Sequence, residues 1–266
     1  TRLTNIKDFD ISESGNLAIL SADLEGQSDI FLISLRRNSI KRLTNDLYDD
    51  VNPKFVPGTS AVIFSSNRPT DSLIVRQDLD IETLNDIFNL YIYDIDTTRN
   101  RLFKVTNTLS HNIKPIPVSK TEFYYLSDQQ GIYNVYKFDI NKRIYTQISN
   151  FRTSIREYDI GPNKEGLSVI LLNEMNTNLY YMPDYDLNDN TFTPQTKRQE
   201  IINAKFVAQK IRERRDALKD SVNLARANEK DRIRDMMAEK SDTVSLDIPE
   251  SDGKRSEEHA SELQSL

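Results

Sequence analysis

The sequence predicts an all-β fold, an incomplete β-propeller of about three to four four-stranded blades, followed by a C-terminal α-helical segment. Three observations predict it. A short motif recurs along the first 150 residues, the segments between its copies alternate apolar and polar residues, and the composition changes abruptly after Pro194. Alternation with a period of two residues is typical of strands, and a repeat of blade length is typical of propellers.

The recurring motif consists of an apolar residue, then Thr or Ser, then Asn. Its copies are Arg2-Leu3-Thr4-Asn5, Arg42-Leu43-Thr44-Asn45, Lys104-Val105-Thr106-Asn107 and Gln147-Ile148-Ser149-Asn150. Their asparagines lie 40, 62 and 43 positions apart, and about 40 to 45 residues make one four-stranded blade. The long interval contains an acidic, turn-rich stretch at 70–86, which we interpret as a loop insertion.

The motif divides the predicted partial propeller, residues 1–193, into blades at about 6–45, 46–107, 108–150 and 151–193. Each repeat has a short strand, an apolar strand and an aromatic-rich alternating strand, and the first three end in a strand that carries the motif. The last repeat lacks a clear copy, and the first copy is interpreted as the end of a preceding blade. Because closed propellers need at least four blades and more often have six or seven, we expect an arc and a natural protein that continues at both ends.

Residues 194–240 are predicted to form an amphipathic helical segment. Beyond Pro194 this stretch has neither Gly nor Pro, and apolar residues recur at intervals of three and four. By count it holds 13 Lys and Arg against 8 Asp and Glu. We expect an interruption near Asn223 or Asn228, and a helix that packs on a blade or on a partner.

The tail, residues 241–266, is polar and has no helical period, so we expect it to be disordered. Within it, residues 255–265 (RSEEHASELQS) resemble the translation of a common sequencing-adapter oligonucleotide, with Ala260 in place of Thr. We expect this stretch to be an artefact and exclude it from the fold.

Composition and charge exclude several classes of function. The net charge is −6, whereas a protein that binds nucleic acid usually has an excess of basic residues. The absence of cysteine excludes disulfides and thiolate metal sites. No apolar run approaches the roughly 18 residues of a membrane span. We expect no cofactor, no metal and no catalytic residue, because the sequence has no G-x-S-x-G and only two histidines, one of them in the predicted artefact.

The second repeat carries a family resemblance. Residues 52–68 (NPKFVPGTSAVIFSSNR) and 86–91 (DIFNLY) resemble the repeats of TolB-like, WD-type β-propeller proteins, whose blades read P-x-F/W-S-P-D-G-x-x-I-x-F-x-S-x-R. Two turns depart from that pattern: residues 56–58 (VPG) lack the family's Asp, and residues 117–120 (PVSK) lack its Gly. These departures concern the turn geometry and leave the blade prediction in place.

The resemblance implies a non-enzymatic scaffold that binds a protein partner in the periplasm or cell envelope of a bacterium. The alternative is the N-terminal propeller domain of a prolyl-oligopeptidase-like serine peptidase whose catalytic domain lies outside this chain. A third hypothesis is an adaptor joined to an envelope or outer-membrane protein through the helical segment.

Four residues are candidates for contact with a partner. Asp78, Asp80 and Glu82 lie in the insertion, and long insertions in regular folds tend to carry binding function. Arg68 matches the family's S-x-R, where either an ion pair between blades or a partner contact would use it. His111 is interpreted as a turn residue, and the acidic run at 184–190 as a turn, since it lacks the Gly and Glu of a calcium loop.

Overall fold

The computed structural model describes residues 3–74, 86–173 and 176–241. In this part of the chain there are fifteen strands, all antiparallel to their neighbours, and one long helix. The chain divides into two compact units, Thr1–Lys205 and Phe206–Leu266. The first contains all of the strands.

The strands form four sheets in chain order, so the predicted propeller of four-stranded blades is confirmed. Blade 1 consists of β1 (Asn5–Ile11), β2 (Leu17–Leu24), β3 (Gln27–Ser34) and β4 (Ser39–Arg42). Blade 2 consists of β5 (Asp50–Phe55), β6 (Ala61–Ser66), β7 (Asn89–Asp94) and β8 (Phe103–Lys104). Blade 3 consists of β9 (Asn112–Pro117), β10 (Glu122–Ser127), β11 (Asn134–Asp139) and β12 (Ile144–Gln147). Blade 4 has three strands, β13 (Ile155–Ile160), β14 (Leu167–Asn173) and β15 (Asn176–Met182).

The apolar residues of the middle strands fill the spaces between blades. Because successive side chains of a strand point to opposite faces, one strand contributes to two cores. In β6, Val62 and Phe64 pack towards Ile19 of blade 1, whereas Ile63 packs towards Phe123 of blade 3. Each of these side chains is essentially unexposed, and burying a side chain of this size contributes about 1.5–3 kcal/mol. The cores hold neighbouring blades face to face.

The recurring Thr or Ser of the sequence motif joins the fourth strand of a blade to its third strand. In blade 2, the Thr106 hydroxyl accepts the Leu90 N–H at 2.8 Å and donates to Asn89 Oδ1 at 2.9 Å. We call this arrangement the hydroxyl bridge. Blades 1 and 3 repeat it with Thr44, Ile30 and Asp29, and with Ser149, Val135 and Asn134. The motif recurs because a buried N–H and a buried side-chain oxygen both need a partner that donates and accepts.

The first strand of each blade carries one extra residue relative to the second strand. The pairing skips one residue of the first strand in blades 1 and 4, whereas in blades 2 and 3 two residues of the first strand lie opposite one residue of the second. The extra residue falls at Lys7 in β1, Asn52 in β5, Lys114 in β9 and Arg156 in β13. Asn52 and Lys114 adopt positive φ angles of 54° and 53°, as one residue of a β-bulge often does.

After β15 the chain turns back to blade 3. Pro183 follows the last residue of β15, and the Thr191 N–H donates to the Gln147 carbonyl at 3.0 Å. Leu187 is buried in the core between blades 3 and 4. In the acidic run, Asp186 Oδ1 accepts the Asn188 N–H at 2.8 Å, which closes a local turn. No fourth strand is therefore added to blade 4 in the described part of the chain.

Helix α1 (Lys197–Ser241) begins beside this segment. The Thr196 hydroxyl accepts the Gln199 N–H at 3.2 Å, which is an N-cap contact. The helix continues through Asn223 and Asn228, so the predicted interruption is wrong. Asparagine costs a helix only a few tenths of a kcal/mol relative to better helix formers, and no Gly or Pro adds to that cost. No helix in the described ranges combines the length and apolarity that crossing a bilayer requires.

Candidate functional site

The first strands of all four blades line one open cavity of about 760 Å³, which we call the inner channel. Its walls come from β1, β5, β9 and β13, so each blade contributes its innermost strand. Seven charged side chains line it: Lys7, Asp8, Asp10, Lys54, Lys114, Glu157 and Asp159. The inner channel is therefore polar and carries both signs of charge.

The β-bulges supply part of this lining. Three of the four bulge residues, Lys7, Asn52 and Lys114, line the inner channel. A bulge bends its strand and re-aims the side chain of the extra residue. Because the extra residue has no cross-strand partner, its side chain is released from packing between blades. The repeated bulge is thus the local feature that places polar groups at the channel wall.

Hydrogen bonds connect the channel walls from blade to blade. Asn52 Nδ2 donates to Asp8 Oδ2 at 3.4 Å, and Asn52 Oδ1 accepts the Lys114 N–H at 3.4 Å. The Tyr158 hydroxyl then donates to the Lys114 carbonyl at 2.9 Å. This series links blades 1, 2, 3 and 4 in turn. The charged groups of the channel consequently project from a connected frame.

The charges at the channel wall remain accessible to solvent. Lys54 Nζ lies 3.9 Å from Asp8 Oδ1, and their side chains are 31% and 30% exposed. Lys114 Nζ donates to the Arg156 carbonyl at 2.7 Å and pairs with Glu157, whose side chain is 57% exposed. Exposed pairs of this kind contribute little to stability, typically about 0–1 kcal/mol. They are available for exchange with the charges of a bound partner.

Arg68 lies outside the inner channel, in a buried ion pair of blade 2. Its guanidinium contacts Asp50 at 2.7 Å and Asp46 at 3.0 Å, and none of the three side chains is more than 3% exposed. The Tyr48 and Tyr91 rings lie 5.5 and 5.8 Å from the guanidinium carbon. All of these residues belong to the second repeat, so the ion pair is internal to that repeat and not between blades. In this structure the Arg68 side chain has no surface that a partner could contact.

The electrostatics of this ion pair reflect its burial. Burial raises the pKa of Asp46, although the Arg68 guanidinium acts in the opposite direction. Burial also acts to lower the pKa of Arg68, but the two carboxylates more than offset it and raise that pKa above its ordinary value. A buried pair of this geometry is strongly destabilised when only one partner is removed. The arrangement therefore fixes the loop that enters blade 2.

Asp78, Asp80 and Glu82 lie outside the described residues, so their role in partner binding stays a prediction. The described start of the insertion is held at the outer side of blade 2. The Leu73 N–H donates to the Asn100 carbonyl at 2.9 Å, and Arg101 pairs with Asp71 at 2.9 Å. These contacts place the start of the insertion beside β8, the fourth strand of the blade.

His111 precedes β9 and packs on Phe88, with ring centroids 6.2 Å apart. Its backbone N–H donates to Asp128 Oδ1 at 2.8 Å. Burial raises the pKa of Asp128. Within the described ranges, no group of three or more His, Cys, Asp or Glu could hold a metal ion. The His111–Asp128 contact stabilises the turn that leads into blade 3.

The channel residues were not singled out by the sequence-based predictions. Lys7, Lys54, Lys114 and Glu157 each resemble ordinary exposed residues of short strands. The signal that would have found them is the break in alternation within every first strand.

Comparison with solved structures identifies the fold. The putative TolB from Agrobacterium tumefaciens matches with a TM-score of 0.55 at 16% identity, over 68% of this chain and 63% of that one. Puromycin hydrolase matches with a TM-score of 0.51 at 8% identity, over 73% and 30%, and the tricorn protease with 0.50 at 14% identity, over 72% and 22%. The chain spans less than two thirds of the length of each.

These likenesses establish a TolB-like β-propeller fold, as the sequence resemblance predicted. No family model matches the sequence, and no curated protein is a significant match. At identities of 8–16%, a shared fold does not carry a shared function.

Proposed function

We propose that this propeller is a non-enzymatic scaffold of the bacterial cell envelope that binds a protein partner at its inner channel. The observation that carries the proposal is the channel itself. Four blades contribute charged side chains of both signs to one open cavity of about 760 Å³. The sequence resemblance to TolB-like proteins is the support for the envelope location, which is part of this proposal.

The connected frame of the channel supports binding of a macromolecule. Groups held in place by Asn52, Lys114 and Tyr158 lose little conformational entropy when a partner docks. Charges of both signs favour a complementary polypeptide surface over a uniformly charged polymer such as nucleic acid. Accessible ion pairs such as Lys54–Asp8 can exchange their partners across an interface. The expected partner is therefore a protein with mixed charge at its contact surface.

A second candidate function is the propeller domain of a larger peptidase. The fold likeness to the tricorn protease, which extends over 72% of this chain, supports it. In such a protein the inner channel would admit or exclude peptides on the way to a catalytic domain. The sequence of this chain has no G-x-S-x-G to supply the nucleophile. A catalytic domain would have to be contributed by sequence outside this chain.

Site-specific photo-crosslinking tests the proposal. A photoreactive amino acid replaces Asp8 in the channel or, as a matched control, Lys41 on the exposed β4 of the same blade. We expect one defined protein adduct from the envelope fraction of the source bacterium with the channel probe, and none with the control probe. Equal adducts from both positions would contradict the proposal.

Charge reversal separates the two candidate functions. Lys54→Glu should weaken binding of the captured protein about tenfold or more, whereas Lys41→Glu should leave it within about twofold. If the captured protein is released as cleaved fragments by the full-length protein, the peptidase function is correct. If it is released intact, the scaffold function is supported.

A further inference from the structure

Blade 4 differs from the other blades in one respect, the absence of a strand on the outer edge of β15. In blades 1, 2 and 3, the third strand is covered by β4, β8 and β12. In the described residues nothing pairs with the outer edge of β15. The segment after Pro183 contacts β12 of blade 3 instead. A free strand edge presents unpaired N–H and C=O groups.

The register shows which backbone groups face outward. Leu171 pairs with Asn178 as Ser127 pairs with Asn134 in blade 3, so Leu179 occupies the position of Val135. The Val135 N–H donates to the Ser149 hydroxyl at 2.8 Å, and the Val135 carbonyl accepts the Ile148 N–H at 2.8 Å. Both groups therefore point at the fourth strand.

By the same geometry, the N–H and C=O of Leu179 point to the open edge of β15. In an antiparallel ladder this direction alternates every second residue, so those of Tyr181 do the same. Asn178 occupies the position of Asn134, whose Oδ1 accepts the Ser149 hydroxyl at 2.9 Å. Blade 4 therefore has the Asn side chain and the backbone N–H of a hydroxyl bridge, and the Thr or Ser hydroxyl between them is absent from the described residues.

The open edge has none of the features that usually protect an exposed strand. Its seven residues include no charged residue and no proline. Leu179 and Tyr181 are 70% and 64% exposed, and Tyr180 is 44% exposed where its equivalent in blade 3, Tyr136, is 4% exposed. Natural sheet edges of this length normally carry a Lys, a Pro or a bulge that prevents pairing with another chain. The β15 edge is instead built to accept one.

We propose that the outer edge of β15 binds an extended strand of a partner polypeptide that ends in an apolar residue followed by Thr or Ser. The occupant is defined by the three fourth strands of this chain, which use Leu43-Thr44, Val105-Thr106 and Ile148-Ser149 at the equivalent position. The bound strand runs antiparallel to β15, and the backbone N–H of its apolar residue donates to the Leu179 carbonyl. The hydroxyl of its Thr or Ser accepts the Leu179 N–H and donates to the Asn178 side chain, which completes the hydroxyl bridge. This site lies on the third strand of blade 4 and is separate from the inner channel.

A peptide-binding assay tests the proposal with the full chain. The probe is a fluorescein-labelled peptide of residues 143–150 (RIYTQISN), the fourth strand of blade 3 with its hydroxyl-bearing end. We expect saturable binding in fluorescence anisotropy. The same peptide with the Ser149→Ala change should bind at least about fivefold more weakly, because the N–H of Leu179 then lacks an acceptor.

Two variants of one residue isolate the backbone contact. Tyr181→Pro removes an outward N–H that would donate to the bound strand, so it should weaken binding at least about tenfold. The variant should still fold, because proline is tolerated at a sheet edge whose N–H faces solvent. Tyr181→Ala keeps the N–H and should bind within about threefold of the parent chain. Circular dichroism and thermal unfolding confirm that both variants are folded, and Asn178→Ala replaces Tyr181→Pro if that variant is not.

Equal binding to the parent chain and to both edge variants, or no saturable binding at all, would overturn the proposal. Lys54→Glu in the inner channel should leave peptide binding unchanged. A loss of peptide binding in that variant would assign the peptide to the channel and refute the edge site, whereas failure of the channel crosslinks alone would leave the edge site standing.

Discussion

Replacing Asp29 with asparagine should change how the stability of the propeller depends on pH. Asp29 has an unexposed side chain, and Arg42 Nε donates to its Oδ2 at 3.0 Å. Burial raises the pKa of Asp29 to about 6 from an ordinary value of 3.8, although Arg42 acts to lower it. The equivalent residues of blades 2 and 3 are Asn89 and Asn134, so an amide fits the hydroxyl bridge without rearrangement.

The magnitude follows from the shift in pKa. A carboxyl whose pKa is higher in the folded state holds its proton more tightly there, so its contribution to stability is fully present below pH 3.8. That contribution is lost as the pH rises through about 6. A shift of about 2 pKa units corresponds to about 3 kcal/mol, of which about 2 kcal/mol is lost between pH 4 and pH 7. The amide introduced by Asp29→Asn does not titrate, so the variant should gain about 2 kcal/mol relative to the parent over this interval.

Urea unfolding followed by circular dichroism at pH 4, 5, 6 and 7 measures the difference. The exposed residue Asn100 provides a control that carries no titrating group, and the Asn100→Ala profile should stay parallel to that of the parent chain. If the Asp29→Asn profile is also parallel, folding does not raise the pKa of Asp29, and burial does not outweigh the pairing with Arg42.

Three further substitutions test the internal contacts of the propeller. Thr106→Val leaves the buried Leu90 N–H without its acceptor and removes one of the three donors to Asn89 Oδ1, so it should lower the free energy of unfolding by about 1–3 kcal/mol. Thr70→Val at an exposed position should change the free energy of unfolding by less than about 0.5 kcal/mol, and urea unfolding measures both. Arg68→Met leaves two buried aspartates without a cation and should cost about 3–5 kcal/mol, and replacing both aspartates by asparagine in that variant should recover part of the loss. Gly131→Ala places a methyl group 2.2 Å from the Thr196 hydroxyl oxygen at a residue with φ of +87°, and should raise hydrogen exchange in residues 191–200 while leaving the sheet amides protected.

The sequence predicts the blades well because their determinants are local and repeated. The motif marks the end of a fourth strand because its hydroxyl accepts the same backbone N–H of the third strand in each blade. Its copies are Leu43-Thr44, Val105-Thr106 and Ile148-Ser149. The repeat also indicates which blade is incomplete. The last repeat has no copy of the motif, and blade 4 has no fourth strand in the described part of the chain.

The sequence does not predict which side chains meet at the inner channel. Asp8, Asn52, Lys114 and Tyr158 are separated by dozens of positions, and only the arrangement of four blades about one axis brings them together. Arg68 shows the same limit. Its position at a strand end predicts either an ion pair between blades or a partner contact, whereas the structure buries it against Asp46 of the preceding loop and Asp50 at the start of β5.

The bulge in each first strand has a consequence for how these blades can change over evolution. Deleting one residue elsewhere in a strand turns every side chain beyond it to the wrong face, but deleting a bulge residue restores regular pairing and leaves the other side chains where they were. Lys7, Asn52, Lys114 and Arg156 occupy the only such positions of the described first strands. In blades 1, 2 and 3, where the bulge residue lines the inner channel, the chemistry of the channel wall can therefore change one blade at a time without altering the apolar cores.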